Sequence, residues 1–168
     1  MMSDEEFSNL VDEVHAAILL NENFEIVLGA GSLVNTFTPG PIGSGVQLYS
    51  RQLTMPEGAR VVSRRHMTTH PFNISKGSIL VLTKDGEKRY TAPYSGVTEP
   101  GTERILLAET ETIWTTYHII PDDITTPEDA MEHLTAPQRT TLKIELAKKS
   151  RALLDGEALK LTEGIIPL

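Results

Sequence analysis

The sequence predicts a mainly β chain, in which an antiparallel barrel over roughly Val46–Ile120 is preceded by one helix and followed by two. Apolar residues recur at helical intervals only towards the two ends of the chain. Between them the sequence breaks into short β-rich runs at close, fairly even spacing, separated by turn signals such as Asp85-Gly86. So many short strands bury their faces most simply by closing into a barrel or pairing two sheets.

Each element has its own signal. Ser3-Asp4-Glu5-Glu6 has capping-box spacing and precedes Phe7, Leu10, Val11, Val14 and Ile18, which predicts an amphipathic helix from about Asp4 to Leu20. Phe24–Leu28 reads as a short strand, and the Gly-, Pro- and Ser-rich stretch Gly29–Gly45 as a long arm that packs over the surface or reaches a neighbouring subunit. The barrel strands are then Val46–Met55, Ala59–Met67 after the turn Pro56-Glu57-Gly58, Gly77–Thr83, Glu87–Ala92, Arg104–Ala108 and Thr112–Ile120. Lys84-Asp85-Gly86-Glu87 is a hairpin signal, because Asp-Gly tolerates positive φ. Thr126-Pro127-Glu128 and Thr135-Ala136-Pro137-Gln138 each place a cap before a helix, the second running to about Leu154 and closed by Gly156. Three regions follow: helix and arm over 1–45, barrel over 46–120, and helices with an apolar tail over 121–168.

Composition narrows the function. The 168 residues carry 15 Lys+Arg against 23 Asp+Glu, a net charge of −8, which argues against a nucleic-acid partner or an anionic membrane surface. With no cysteine, thiolate metal sites and cysteine nucleophiles are excluded. No apolar run reaches membrane-spanning length, and the first residues are acidic where a signal peptide would be basic, so synthesis in the cytoplasm is expected. Gly29-Ala30-Gly31-Ser32 lacks the lysine and following helix of a phosphate loop. His15 reads as a surface or interface residue of the first helix, and His133 as a solvated late-helix residue.

The remaining histidines, His66, His70 and His118, fall in the β unit. Neutral imidazoles from neighbouring strands can converge on a divalent metal inside a barrel. Spacing alone reads them more readily as satisfied residues of a barrel mouth. Arg64 and Arg104 offer a different use of the same interior, since guanidinium groups beside histidines suit a carboxylate or phosphate. Their plainer reading is an ion pair with Glu99 or Glu103.

The motifs Met55-Pro56-Glu57-Gly58, Arg64-Arg65-His66-Met67-Thr68-Thr69-His70, Ile74-Ser75-Lys76-Gly77, Ala92-Pro93-Tyr94, Pro100-Gly101-Thr102 and Thr112–His118 resemble, in order and spacing, the small cupin-like proteins of tailed bacteriophages. The resemblance covers the central half of the chain and implies a cupin-like antiparallel jelly-roll barrel. Counting back from Gly77, His70 takes the place of the cupin glutamate, His66 that of the second histidine and Arg64 that of the first, while Arg104 falls where the second motif has its histidine. The family's metal site is thus half kept, and two guanidinium groups would repel a cation.

From this the chain is expected to be a non-enzymatic phage protein, a virion structural or assembly component with no cofactor, acting in the host cytoplasm and then in the virion. Its expected partners are further copies of itself, as a dimer or higher oligomer through Phe7, Leu10, Val11 and Val14, and other phage proteins. The alternative is a metal-dependent cupin enzyme of isomerase or dioxygenase type, with Zn, Fe, Mn or Ni held by His66, His70 and His118.

Overall fold

The computed structural model describes residues 2–20 and 32–136. In these, helix α1 (Asp4–Leu20) precedes nine strands: β1 (Ser32–Pro39), β2 (Val46–Met55), β3 (Arg60–Val62), β4 (His70–Lys76), β5 (Ser78–Thr83), β6 (Gly86–Thr91), β7 (Tyr94–Thr98), β8 (Ile105–Ala108) and β9 (Thr112–Pro121). A short helix, α2 (Pro127–Leu134), follows. The fold is mainly β. A five-stranded sheet in the order β1-β2-β9-β4-β7 lies beside a four-stranded sheet in the order β3-β8-β5-β6, and every pairing is antiparallel.

Alternation along the strands builds the core between the sheets. Met55, Phe72, Ile74 and Trp114 from the larger sheet meet Ile79, Val81, Leu106 and Ala108 from the smaller. Phe72 and Trp114 stack with their ring centroids 4.4 Å apart. At the other end of the larger sheet Tyr49 and Ile120 pack on Ala130 and Leu134 of α2. Gly77 joins β4 to β5 at φ +87°, and a Cβ there would stand 2.2 Å from the Glu111 carbonyl oxygen, so only glycine permits the crossing. The hairpin between β5 and β6 turns at Lys84-Asp85, pairing Thr83 with Gly86.

Both helix starts follow their sequence signals. The Ser3 hydroxyl accepts the Glu6 amide while the Glu6 carboxylate accepts the Ser3 amide, a closed capping box. Thr126 caps α2 by accepting the Asp129 amide, with Pro127 in the first turn. Phe7 and Val11 are buried within the chain itself, and Leu10 and Val14 are half-buried.

Several expected elements differ. The stretch read as an arm contains β1, which pairs along its whole length with β2 and rests Phe37 on Tyr49 at 4.9 Å. Its Thr and Val residues suit a strand, and the glycines and prolines lie at its ends. The strand expected over Ala59–Met67 stops at Val62, because the following backbone bonds elsewhere: Ser63 to Arg104, His66 to Thr102, and Met67 to Leu134. Strands β4 and β7 were not anticipated, since Pro71 and Gly96 interrupt runs that tertiary pairing nevertheless holds extended. The expected Phe24–Leu28 strand, the helix after Thr135 and the apolar tail lie outside the described residues.

Candidate functional site

The three barrel histidines come together. His70 opens β4, His118 lies on the inward face of β9, and His66 sits on the irregular chain after β3. Ring centroids are 4.2 Å apart for His70 and His118, 4.5 Å for His66 and His70, and 6.4 Å for His66 and His118. His70 is 1% exposed and His118 5%. Backbone bonds fix His66 on two sides: its amide donates to the Thr102 carbonyl, and its own carbonyl accepts the Gly101 amide.

Each ring leaves one buried nitrogen without a partner: His66 Nδ1, His70 Nε2 and His118 Nδ1. The tautomer of His70 follows from its neighbour. Its Nδ1 lies 3.0 Å from the Thr68 carbonyl oxygen, which can only accept, so Nδ1 carries the proton and Nε2 a free lone pair. His118 Nε2 lies 3.1 Å from the Thr116 hydroxyl, which serves in either role. A buried polar atom left unpaired costs about 1–3 kcal/mol. Three such atoms gather in this one cluster.

The cluster is neutral at ordinary pH. Burial, then the neighbouring imidazole of His70, then Arg104 hold His66 down at about 3. Burial, then His70, then Arg51 hold His118 at about 3. His70 is also lowered, by burial first and Arg104 last, against the Thr68 hydrogen bond. Desolvation leads in each case. Of Arg64 and Arg104, which the sequence places beside these rings, only Arg104 takes part, and as a lesser cause than burial. Arg104 acts on the cluster, whereas the charge of Arg64 is felt by His15 on α1.

Neither expected ion pair of these arginines forms. Glu103 pairs with Arg65 at 3.2 Å, and Glu99 accepts from the Thr69 hydroxyl. Arg104 instead donates to Thr98 Oγ1 at 2.8 Å and lies over the Phe72 and Trp114 rings, 5.5 and 5.8 Å from their centroids. Thr98 and Arg51 escaped the sequence reading. A signal for Arg51 was present, since it alternates with Tyr49, Leu53 and Met55 and so puts a charge on the apolar face of β2.

The donor types suit a divalent transition metal: three neutral imidazoles, each with an unpartnered ring nitrogen, that of His70 left with a free lone pair by the Thr68 carbonyl. Among the described residues the three do not already stand around one ion position.

No family model and no curated protein matches the chain. The structural neighbours are cupin-fold proteins. An RmlC-like cupin from Shewanella frigidimarina is similar over 53% of this chain and 86% of its own, at 17% identity and a TM-score of 0.39. KdgF from a Halomonas species matches over 56% and 92%, at 13% identity and 0.39. A salicylate 1,2-dioxygenase from Pseudaminobacter salicylatoxidans matches over 62% of this chain but 28% of its own length, at 14% identity and 0.44. Nothing in these comparisons indicates a phage origin.

Proposed function

We propose that this chain is a cupin-like jelly-roll barrel that binds a divalent transition metal through His66 Nδ1, His70 Nε2 and His118 Nδ1. The observation that carries the reading is the set of three unpartnered, buried ring nitrogens on adjoining neutral imidazoles. Such a metal supplies Lewis-acid chemistry, or redox chemistry where it is iron or manganese. This reading takes up the metal-dependent alternative and sets aside the virion-assembly expectation, for which neither the structure nor the comparisons supply support.

What the chain itself contributes is a largely buried cluster of rings. Thr68 and Thr116 orient two of the rings, as outer partners of metal-ligating histidines commonly do. Phe72 and Trp114, stacked beneath the Arg104 guanidinium, close the interior on the side away from α2. Arg104 adds a positive charge beside the rings, which favours an anionic group among them.

Elemental analysis of protein purified without a histidine tag tests the proposal. Stoichiometric Zn, Fe, Mn or Ni is expected, lost in His70→Ala. A wild-type protein that takes up no metal on reconstitution, or a variant that keeps the same content, would overturn it.

A further inference from the structure

Arg104 is a buried cation without an acid. It is 9% exposed, and among the described residues no carboxylate lies within ion-pair distance of it. Its guanidinium carries five N–H donors, of which the Thr98 hydroxyl takes one. The Phe72 and Trp114 rings near it satisfy a cation only in part. None of its nitrogens is both sealed off and unpartnered, so the donors left over by Thr98 reach open space, where a largely buried cation calls for a counter-charge or a dense set of acceptors.

The same residue lines a cavity of about 340 Å³ between the first turn of α1, the β5–β6 hairpin and the chain joining β7 to β8. That is the size of a small-molecule site. The other cations of the lining are already matched: Lys84 pairs with Asp4 at 2.7 Å, and Arg65 with Glu103 at 3.2 Å. Of the remaining acids, Glu99 and Asp85 are exposed and stay hydrated. Arg104 is the one charged side chain of the lining that is buried, and it is unmatched.

We infer that Arg104 anchors a binding site for a small-molecule carboxylate, which enters through this cavity and supplies the missing counter-charge. A planar carboxylate matches the guanidinium fork, with two parallel N–H···O bonds, better than a spherical anion does. The inference goes beyond the metal reading and does not depend on it, because none of the groups it uses is a proposed metal ligand.

The chain provides its own reporter. Trp114 is the single tryptophan, and its ring lies 5.8 Å from the Arg104 guanidinium. Chelator-treated protein is titrated with acetate and benzoate, with benzamide as the neutral match and inorganic phosphate as the competing anion, while Trp114 fluorescence is followed. At least one carboxylate should give a saturable change with Kd below about 1 mM. Arg104→Met should weaken it by about tenfold or more, and Arg104→Lys by less. Because that substitution removes an uncompensated buried charge, the melting temperature of Arg104→Met in the absence of ligand should hold or rise. A guanidinium serving only the fold would show the reverse, a lower melting temperature. Saturation by neither carboxylate, equal responses to benzamide, tighter binding of phosphate, or unchanged affinity in a folded Arg104→Met would each overturn the inference. Since the chelator removes metal throughout, failure here leaves the metal proposal untouched, and the reverse also holds.

Discussion

Metal-free protein is expected to lose up to about 4 kcal/mol of stability between pH 7 and pH 5, a large part of the 5–15 kcal/mol typical of a folded domain. In the folded state His66 and His118 are held at about 3, against 6.5 for a free histidine. Above pH 6.5 both states are unprotonated and the two rings leave stability independent of pH. Below it the unfolded chain takes up protons that the folded chain refuses, so stability falls with pH until the folded rings themselves protonate near 3. At pH 5 each of the two contributes up to about 2 kcal/mol to the loss. His70 and His15, also lowered, act in the same direction. The lowered carboxylates Asp4, Glu6 and Glu109 titrate below this window. Urea denaturation at pH 5, 6 and 7 in chelator measures the effect. A His66→Leu, His118→Leu double variant should flatten the profile, and a wild-type profile already flat would show that the rings are not held neutral.

The second large effect is stabilisation by metal. At a concentration a hundred times Kd, a ligand that binds only the folded state adds about 2.7 kcal/mol. For a domain of this size that raises the melting temperature by roughly 5–10 °C. Zn²⁺ at pH 7 should produce this rise, and the rise should persist at pH 5, because folded rings held near 3 take up no protons there to compete with the metal. The variant His118→Leu separates ligation from packing. Without metal it should unfold within about 1 kcal/mol of wild type, since it removes one unpartnered buried nitrogen along with the imidazole. With Zn²⁺ it should lose the rise. An equal Zn²⁺ response in this variant would place the metal elsewhere.

Much of the fold was legible because it is written locally. The capping boxes, the β2 and β9 runs and the Asp-Gly hairpin announce themselves through backbone and side-chain preferences within a few residues. Strands β4 and β7 do not, since Pro71 and Gly96 lower their intrinsic preference and it is the pairing of His70 with Thr98 and Phe72 with Gly96 that makes them strands. The edge strand β1 was hidden in the same way by its glycine- and proline-rich flanks.

For the site, residue types were legible and placement was not. His66, His70 and His118 could be picked out as candidates, but their convergence depends on β9 lying next to β4 and on the loop after β3 folding back over both. Arg64 and Arg104 looked equivalent in sequence. Only the end of β3 at Val62, which breaks the strand alternation before Arg64, and the burial of Arg104 over Phe72 and Trp114 tell them apart. Pairing in the structure also reassigns the acids expected to neutralise them, Glu103 going to Arg65 and Glu99 to Thr69.

Titration with Zn²⁺, followed through the imidazole resonances of all five histidines, tests the proposed metal site most directly. The account predicts saturable one-to-one binding in which the signals of His66, His70 and His118 shift together while those of His15 and His133 stay in place. Binding that leaves those three rings unmoved, or that shifts His15 and His133 alone, would contradict it.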